Sequence, residues 1–475
     1  MEQIEMTHIQ SDTIAAISTP AGNGGIAIIR ISGPEAIKIV SDAWKGADLS
    51  HAKSHTAHFG EYHDISGQLL DQSVATVFRA PKSFTGEDTI ELSIHGSRWL
   101  QRNILSDLIR RGIRMAAPGE FTQRAFLNNK LDLAQAEGVA DLIACSSRAS
   151  QSLAMAQMKG SFSSRLSQLR DKLVEFASLL ELELDFSEED VEFVDRNELK
   201  NLASFILDEI GKLAHSYSIG AVLKSGVNVV IAGVPNAGKS SLLNLLLDED
   251  KAIISNIPGT TRDIIEDCIE LEGILFRFID TAGLHETQDV VEKIGISKTC
   301  NSIKNANIII WVIDSSEEPE SQINQLSETI SSIEKQDKSI IILKNKSDIK
   351  DLEFDESIND ELKKILKGFK HNSEISFSTT SGQGLPILID TLVKFTDHNQ
   401  DNESDVIVTN ERHYESLLKG KESLQRAIEG LETGLPSDLI AQDVREAISH
   451  IGEITGSISS LDLLHNIFSR FFIGK

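Results

Sequence analysis

Eight residues, Gly233-Val-Pro-Asn-Ala-Gly-Lys-Ser240, constrain this chain more than any other stretch. They fit G-x-x-x-x-G-K-[ST], with an apolar run from Val227 to Ile231 before them and a helical pattern from Ser241 to Leu247 after them. Strand, Gly-rich loop and helix in that order form the context a phosphate-cradling loop requires. The glycines let the backbone fold tightly enough to aim several N–H groups at one phosphate chain. The helix N-terminus adds a partial positive charge. In such a loop Lys239 reaches the outer phosphates and the Ser240 hydroxyl binds magnesium.

The segment around the loop reads as alternating strands and helices. Val227–Ile231 leads into the loop, and Ile264–Leu271 and Ile274–Ile279 flank a hairpin turn at Glu272-Gly273. Ile308–Ile313, Ser339–Leu343 and Glu374–Phe377 are later strands separated by helical stretches. This pattern predicts a mostly parallel, doubly wound sheet with one antiparallel hairpin.

Helical periodicity frames that segment. Leu166, Leu169, Leu173, Phe176 and Leu180 step by three and four along one long helix. After residue 405, Leu417, Leu424, Ile428 and Leu431 line one face, and Ile440, Val444, Ala447, Ile448 and Ile451 another. The simplest architecture is one helical domain with a nucleotide-binding domain inserted into it, because insertions succeed where the inserted ends lie close together. The acidic run from Glu181 to Glu192 reads as a solvated helix end and loop. Residues 12–130 read as a separate α/β segment. Thr13–Ile17 and Gly25–Gly33 are its first strands, and a helix follows Ser32-Gly-Pro-Glu35 with Pro34 early in it. Strands at Ser73–Phe78 and Thr89–His95 and a helix over Leu100–Arg111 come next. The expected fold is therefore α/β plus all-α. Its divisions are 1–130, a helical domain from 131–225 and 393–475, and a P-loop domain at 226–392.

Composition excludes several classes. No apolar run approaches the roughly 18 residues of a membrane helix, and the N-terminus, Met1-Glu-Gln-Ile-Glu5, lacks the basic and apolar regions of a signal peptide. Cys145, Cys268 and Cys300 have neither disulfide-framework nor zinc spacing, which fits a reduced, cytoplasmic setting. The formal charge of −26 argues against non-specific coating of nucleic acid, since phosphate binding needs clustered Lys and Arg. An RNA substrate would need a local basic patch or a partner to hold it.

Four features converge on GTP. The phosphate loop is the first. Asp280-Thr-Ala-Gly283 ends a strand, where a carboxylate can hold the magnesium shell and the Gly283 N–H can meet the γ-phosphate. Asn345-Lys-Ser-Asp348 has the N-K-x-D pattern, and Asp348 can accept both the ring N–H and the exocyclic amine of guanine. Adenine reverses those groups, so Asp348 selects GTP over ATP. Gly259-Thr-Thr-Arg-Asp263 lies between the loop and Asp280, where a magnesium-binding Thr is required. The hydrolytic residue is not fixed by this chemistry. The position after D-x-x-G, where many GTPases carry a water-orienting Gln, is Leu284. Glu286, Asp289 and Glu292 are nearby acidic candidates, and Arg262 is a candidate internal arginine finger.

Further motifs carry a resemblance along nearly the whole chain. They are Pro258-Gly-Thr-Thr-Arg-Asp263, Asp280-Thr-Ala-Gly-Leu-His-Glu286, Gly119-Glu-Phe121, Arg124-Ala-Phe-Leu-Asn-Asn-Lys-Leu-Asp-Leu-Ala-Gln-Ala136, Gly452-Glu-Ile-Thr-Gly456 and Ile467-Phe-Ser-Arg-Phe-Phe-Ile-Gly-Lys475. With these the chain resembles the MnmE (TrmE) family of tRNA-modification GTPases, which act on wobble uridine. The resemblance implies an N-terminal folate-binding domain that forms a homodimer, a helical domain in two chain segments, and an inserted GTPase domain. It implies GTP hydrolysis activated by potassium-dependent pairing of two such domains. A flavoprotein partner, MnmG, completes a heterotetramer that installs (carboxymethyl)aminomethyl groups at C5 of the uridine of tRNA. A tetrahydrofolate derivative, formyl or methylene, supplies the one-carbon unit.

The resemblance also assigns residues. GTP would be held by Asn236, Ala237, Gly238, Lys239, Ser240 and Ser241, and by Ser255, Asn256, Ile257, Pro258, Gly259, Thr260 and Thr261. Asp280, Thr281, Ala282 and Gly283 would follow, with Asn345, Lys346, Asp348, Ser378, Thr379 and Thr380 around the base. Asn236, Ser255, Ile257 and Thr260 would bind potassium, and Ser240 and Thr261 magnesium. Glu292 would position the water, with Lys239 and Thr261 completing the catalytic set. Arg30, Glu91, Lys130 and Lys475 fall on folate-site positions, where a carboxylate can pair with the pterin's amino–imino edge.

Two positions depart from the family pattern. Phe472 stands where the C-terminal motif usually carries a cysteine. Ser378-Thr-Thr380 stands where a Ser-Ala-Lys motif is usual, which removes the Lys stem from the base. Two other readings compete: a ribosome-assembly-type GTPase switch, and a GTP-dependent scaffold without modification chemistry.

Overall fold

Strand pairing among the described residues gives two seven-stranded sheets, one before and one after a long helical stretch of the sequence. The computed structural model describes residues 12–186, 196–247, 253–254, 267–279, 302–331, 333–349, 356–396, 406–458, 464, 467–469, 471 and 474. The chain divides into two compact units. One comprises Met1–Ala140, Met158–Asp171 and Ile448–Lys475, the other Asp141–Gln157 and Lys172–Ala447.

In the first unit the strands are β1 (Ile14–Ile17), β2 (Ile26–Ser32), β3 (Trp44–Gly46), β4 (Thr56–His63), β5 (Leu69–Phe78), β6 (Thr89–His95) and β7 (Arg114–Met115). Their order is β3-β4-β5-β6-β2-β1-β7, antiparallel except for the β1–β7 pair. Period-two alternation puts Ala27, Ile29 and Ile31 with Ile90, Leu92 and Ile94 on one buried face. Helices α1 (Ala36–Ala43) and α2 (Arg98–Arg110) cover it through Ile37, Val40, Leu100, Ile104 and Leu108. Arg30 and Glu91, directly opposed in register, belong to the other face.

The first helix starts later than the sequence suggests. Pro34 lies in a turn before it, and helix begins at Ala36. Gly33 sits at φ 135°, where a Cβ would fall 2.6 Å from Thr13 Cα, and the Glu35 N–H is taken by Thr13 Oγ1 at 3.0 Å. These bonds hold the chain out of helical geometry for two residues more. Helices α3 (Glu120–Leu127), α4 (Leu133–Ala144), α5 (Arg148–Met158) and α6 (Ser161–Phe186) follow. The predicted stripe on α6 is buried throughout, Leu166 to Leu180.

The second unit begins its α/β part after α7 (Arg196–Ser225). Its strands are β8 (Val227–Gly233), β9 (Ile253–Ile254), β10 (Asp267–Leu271), β11 (Ile274–Phe278), β12 (Ile308–Asp314), β13 (Ser339–Asn345) and β14 (His371–Ser376), in the order β14-β13-β12-β8-β11-β10-β9. β14 through β11 are parallel, and β10 returns antiparallel through Glu272 and Gly273, both at positive φ. That is the two-residue turn a right-twisted hairpin favours. Helices α8 (Lys239–Leu247) and α11 (Leu385–Lys394) cover one face, and α9 (Pro319–Ile330) and α10 (Glu356–Leu366) the other. The sheet is doubly wound, as expected.

The insertion has a visible seam. α12 (Glu411–Thr433) packs along α7, with Tyr217 and Tyr414 stacked at 4.5 Å, and α13 (Ser437–Thr455) follows. The returning chain crosses α7 so closely that a Cβ on Gly220 would lie 2.0 Å from Val408 O, and the Val408 N–H bonds Ser216 Oγ at 3.0 Å. The inserted domain thus leaves after Ser225, and the chain rejoins the same helix at Gly220 and Ser216, about one and a half to two and a half turns back. Among the described residues no helix is long and apolar enough to cross a membrane.

Candidate GTP and folate sites

The phosphate loop joins β8 to α8. Gly233 closes the strand at φ 141°, and a Cβ there would fall 2.2 Å from Val312 O of β12. Gly238 opens the helix at φ 98°, and a Cβ there would fall 2.2 Å from Asn345 Nδ2. Only glycine fits either position. Ala237 is buried, Asn236 is exposed at φ 60°, Ser240 is half-buried and Ser241 exposed. The Lys239 ammonium donates to Gly233 O at 3.1 Å and Val234 O at 2.7 Å, so it sits inside the loop. Burial pushes its pKa down. An anionic phosphate chain in the loop would offset that desolvation.

Asn345, fully buried at the end of β13, binds two loops together. Its Nδ2 donates to Ala237 O at 2.7 Å and to Thr379 Oγ1 at 3.4 Å, and its Oδ1 accepts the Thr379 N–H at 3.1 Å. The Ser347 N–H bonds Phe377 O at 3.0 Å, and buried Ser378 is fixed by its N–H to Gln383 O at 3.0 Å. Asp348 and Thr380 are exposed at the rim. Lys346 adopts φ 65° and its ammonium pairs with Asp314. Burial raises the Asp314 pKa, but hydrogen bonds from Lys346 and Ser316 outweigh it and hold the carboxyl below the usual 3.8. Asp314 was not among the residues expected at the site. Its signal is an acidic residue ending an otherwise apolar strand, level with N-K-x-D.

The structure thus brings together Asn236 to Ser241, Asn345, Lys346, Asp348 and Ser378 to Thr380. Ser255 to Thr261, Asp280 to Gly283, Leu284, Glu286, Asp289, Glu292 and Arg262 lie outside the described residues. β11 ends at Phe278, and the N–H of the next residue, Ile279, bonds Val229 O of the phosphate-loop strand at 2.9 Å.

On the N-terminal sheet the Arg30 guanidinium contacts Glu91 Oε1 at 2.8–2.9 Å, both side chains partly exposed. The rings of Phe84 and Phe121 lie 5.4 and 5.6 Å from its carbon. Lys130 donates to Pro81 O at 3.0 Å. Next to it is a cavity of about 510 Å³ lined by Pro34, Ala80, Gly86, Glu87, Asp88 and Asn128. Arg30 and Glu91 are not in that lining. Gly474 O accepts from Ser18 Oγ at 3.0 Å, and its own Cβ would fall 2.4 Å from Ile17 O. Gly474 therefore sits against β1 one residue past Ala16, the strand partner of Arg30. Lys475 and Phe472 lie outside the described residues. A buried Arg124, 1% exposed, braces the region through Asp12, Glu87 and Glu120.

Comparison with known proteins settles the family. A model of the MnmE helical domain matches residues 133–471, and a model of the GTP-binding protein TrmE N-terminus matches residues 13–130. The chain belongs to the MnmE (TrmE) family. A tRNA modification GTPase MnmE of Christiangramia forsetii is 46% identical over 472 residues, covering 98% of this chain and 99% of that one. Proteins of the same description from Cytophaga hutchinsonii (45% identical, 98% of each chain) and Bacteroides thetaiotaomicron (46%, 98% of this chain and 100% of that one) are similarly close. MnmE membership accounts for both sheets and the split helical domain.

Proposed function

We propose that this GTP hydrolase of tRNA modification is activated by potassium and works with the flavoprotein MnmG and a tetrahydrofolate derivative to modify C5 of wobble uridine. The observation that carries the GTP part is the Asn345 bridge, which aligns the phosphate loop and the base-reading turn as one surface. Lys239 and the helix α8 N-terminus stabilise the phosphates, and Asp348 reads guanine.

Asn236 supports the cation reading. Its side chain is exposed in the loop beside the phosphate position, where an amide oxygen can face a monovalent ion. Ser255, Ile257 and Thr260 would supply the remaining potassium oxygens, and Ser240 and Thr261 would hold magnesium. The bound cations would supply positive charge against the leaving phosphate. Glu292 would orient the attacking water.

For the folate site, the residues fit a pterin. Glu91 can accept from an amino–imino edge while Arg30 steadies it, and the two phenylalanine rings give an apolar wall. Lys130 and, by family motif, Lys475 would add cations for the glutamate tail. The homodimer through the N-terminal domain belongs to this same reading.

GTP turnover in potassium chloride against sodium chloride at equal ionic strength tests it. Strong potassium stimulation that Glu292→Ala abolishes, by about 100-fold or more for a lost water-orienting group, is the expected result. Equal slow turnover in both salts would overturn potassium activation.

A further inference from the structure

The structure assigns Asp314 as a positioning residue of the guanine-reading turn: it holds Lys346 in a left-handed backbone conformation, so that Asn345 points back to the phosphate loop and Asp348 outward. This rests on reading 345–348 as the base-recognition turn.

Asp314 ends β12 and pairs in register with Asn345 of β13. It is 1% exposed. Its backbone is bracketed by one buried amide. The Asp314 N–H donates to Gln322 Oε1 at 2.8 Å, and Gln322 Nε2 donates to Asp314 O at 3.0 Å. The next N–H, of Ser315, bonds Asn345 O at 2.9 Å. The carboxylate divides its work. Oδ1 accepts from the Ser316 N–H at 2.9 Å and Ser316 Oγ at 2.6 Å, and Oδ2 takes the Lys346 ammonium. A fixed anion thus waits beside the turn, on a strand end held by three hydrogen bonds to Gln322 and Asn345.

Lys346 needs such an anchor. Its φ of 65° is disfavoured for any residue with a Cβ. The turn it forms is closed by the Ile349 N–H to Lys346 O at 3.0 Å. The turn ends the strand at Asn345, whose amide stays on the phosphate loop, and leaves Asp348 exposed at the rim. A charge-assisted bond to a buried carboxylate is strong enough to offset the left-handed penalty.

The test is a double-mutant cycle on the full chain, read as Kd for a fluorescent GDP analogue, with thermal melts as a folding check. Asp314→Ala should raise Kd about tenfold, which corresponds to about 1.4 kcal/mol. In a Lys346→Gly background, where glycine adopts the left-handed turn unaided, Asp314→Ala should change Kd less than twofold. Asp314→Asn, which keeps the volume and the Ser316 bonds, goes through the same cycle if the alanine variant does not fold. The same tenfold loss in both backgrounds would overturn the assignment, as would no loss in the first. Asp348→Asn separates this from the underlying reading. If that variant keeps its guanine preference, the base-reading turn itself is misassigned. If it shifts to xanthosine nucleotides while the cycle shows no coupling, only the role of Asp314 falls.

Discussion

Asn345→Ala should weaken guanine nucleotide binding by a factor set by two stranded backbone groups. The amide of Asn345 satisfies Ala237 O at 2.7 Å and the Thr379 N–H at 3.1 Å. Ala237 is buried, so its carbonyl loses its partner where water cannot replace it, at about 1–3 kcal/mol. Thr379 is half-buried, and water recovers part of its bond, leaving about 1 kcal/mol. The sum is about 2–4 kcal/mol, or roughly 30- to 700-fold if it falls wholly on binding. Titration with a fluorescent GDP analogue measures the affinity share, and urea unfolding measures the share lost by the nucleotide-free fold. The two together should account for the sum. Binding within threefold of wild type, with an unchanged urea midpoint, would refute the claim that Asn345 aligns the two loops.

Glu120→Gln should cost about 3 kcal/mol at neutral pH, because a buried carboxylate between Arg114 and Arg124 is lost. Burial raises the Glu120 pKa, but hydrogen bonds from Arg114, the Ala117 N–H and Arg124 outweigh it and hold it below 4.5. A depressed carboxyl gives stability that is present above 4.5 and is lost as pH falls through the folded value. The wild-type urea midpoint should therefore fall more steeply than the variant's below about pH 4.5; parallel curves would deny the linkage. Gly233→Ala should destabilise far more than Gly67→Ala, although both glycines have positive φ. The first Cβ meets Val312 O at 2.2 Å and the second meets nothing within 4 Å. Equal shifts in thermal midpoint would mean that backbone conformation alone sets the cost.

Legibility in the sequence followed burial pattern and turn chemistry. The β10–β11 hairpin was readable because Glu272-Gly273 separates two apolar runs, and the α6 stripe because every fourth or third residue is large and apolar. Strands β3 and β4 were not, for a specific reason. Along β4 the inward positions include Gly60 and Tyr62, while Phe59 points outward at 68% exposure. Gly60 is inward because Trp44 of β3 lies on it, and a Cβ there would fall 2.5 Å from the indole. The hydrophobic alternation is thus inverted, and a period-two reading finds no buried face. At the GTP site the motifs declared their chemistry but not their bracing. N-K-x-D names Asn345 and Asp348; nothing in the spacing says that Asp314, 31 residues earlier, sits beside Lys346. That contact depends on strands β12 and β13 being neighbours, a property of the sheet order and not of either segment.

The charge balance makes a last prediction about how tRNA is held. A chain with net charge −26 repels a polyanion at long range, so any RNA affinity must come from a few local cations or from a partner. Among the described residues, the candidate cations of the N-terminal site already have partners, Arg30 in Glu91 and Lys130 in Pro81 O. Each phosphate neutralised contributes about −0.7 to −0.9 to the slope of log K against log salt. Two or three contacts therefore give this chain alone a slope no steeper than about −3. With the proposed flavoprotein partner the slope should steepen and the affinity rise, because the partner brings the phosphate contacts. Filter binding of tRNA across a salt series, with and without the partner, measures both. A slope steeper than about −6 for the chain alone would mean a dense basic surface that the overall charge conceals. The partner would then be needed for the chemistry rather than for holding the RNA.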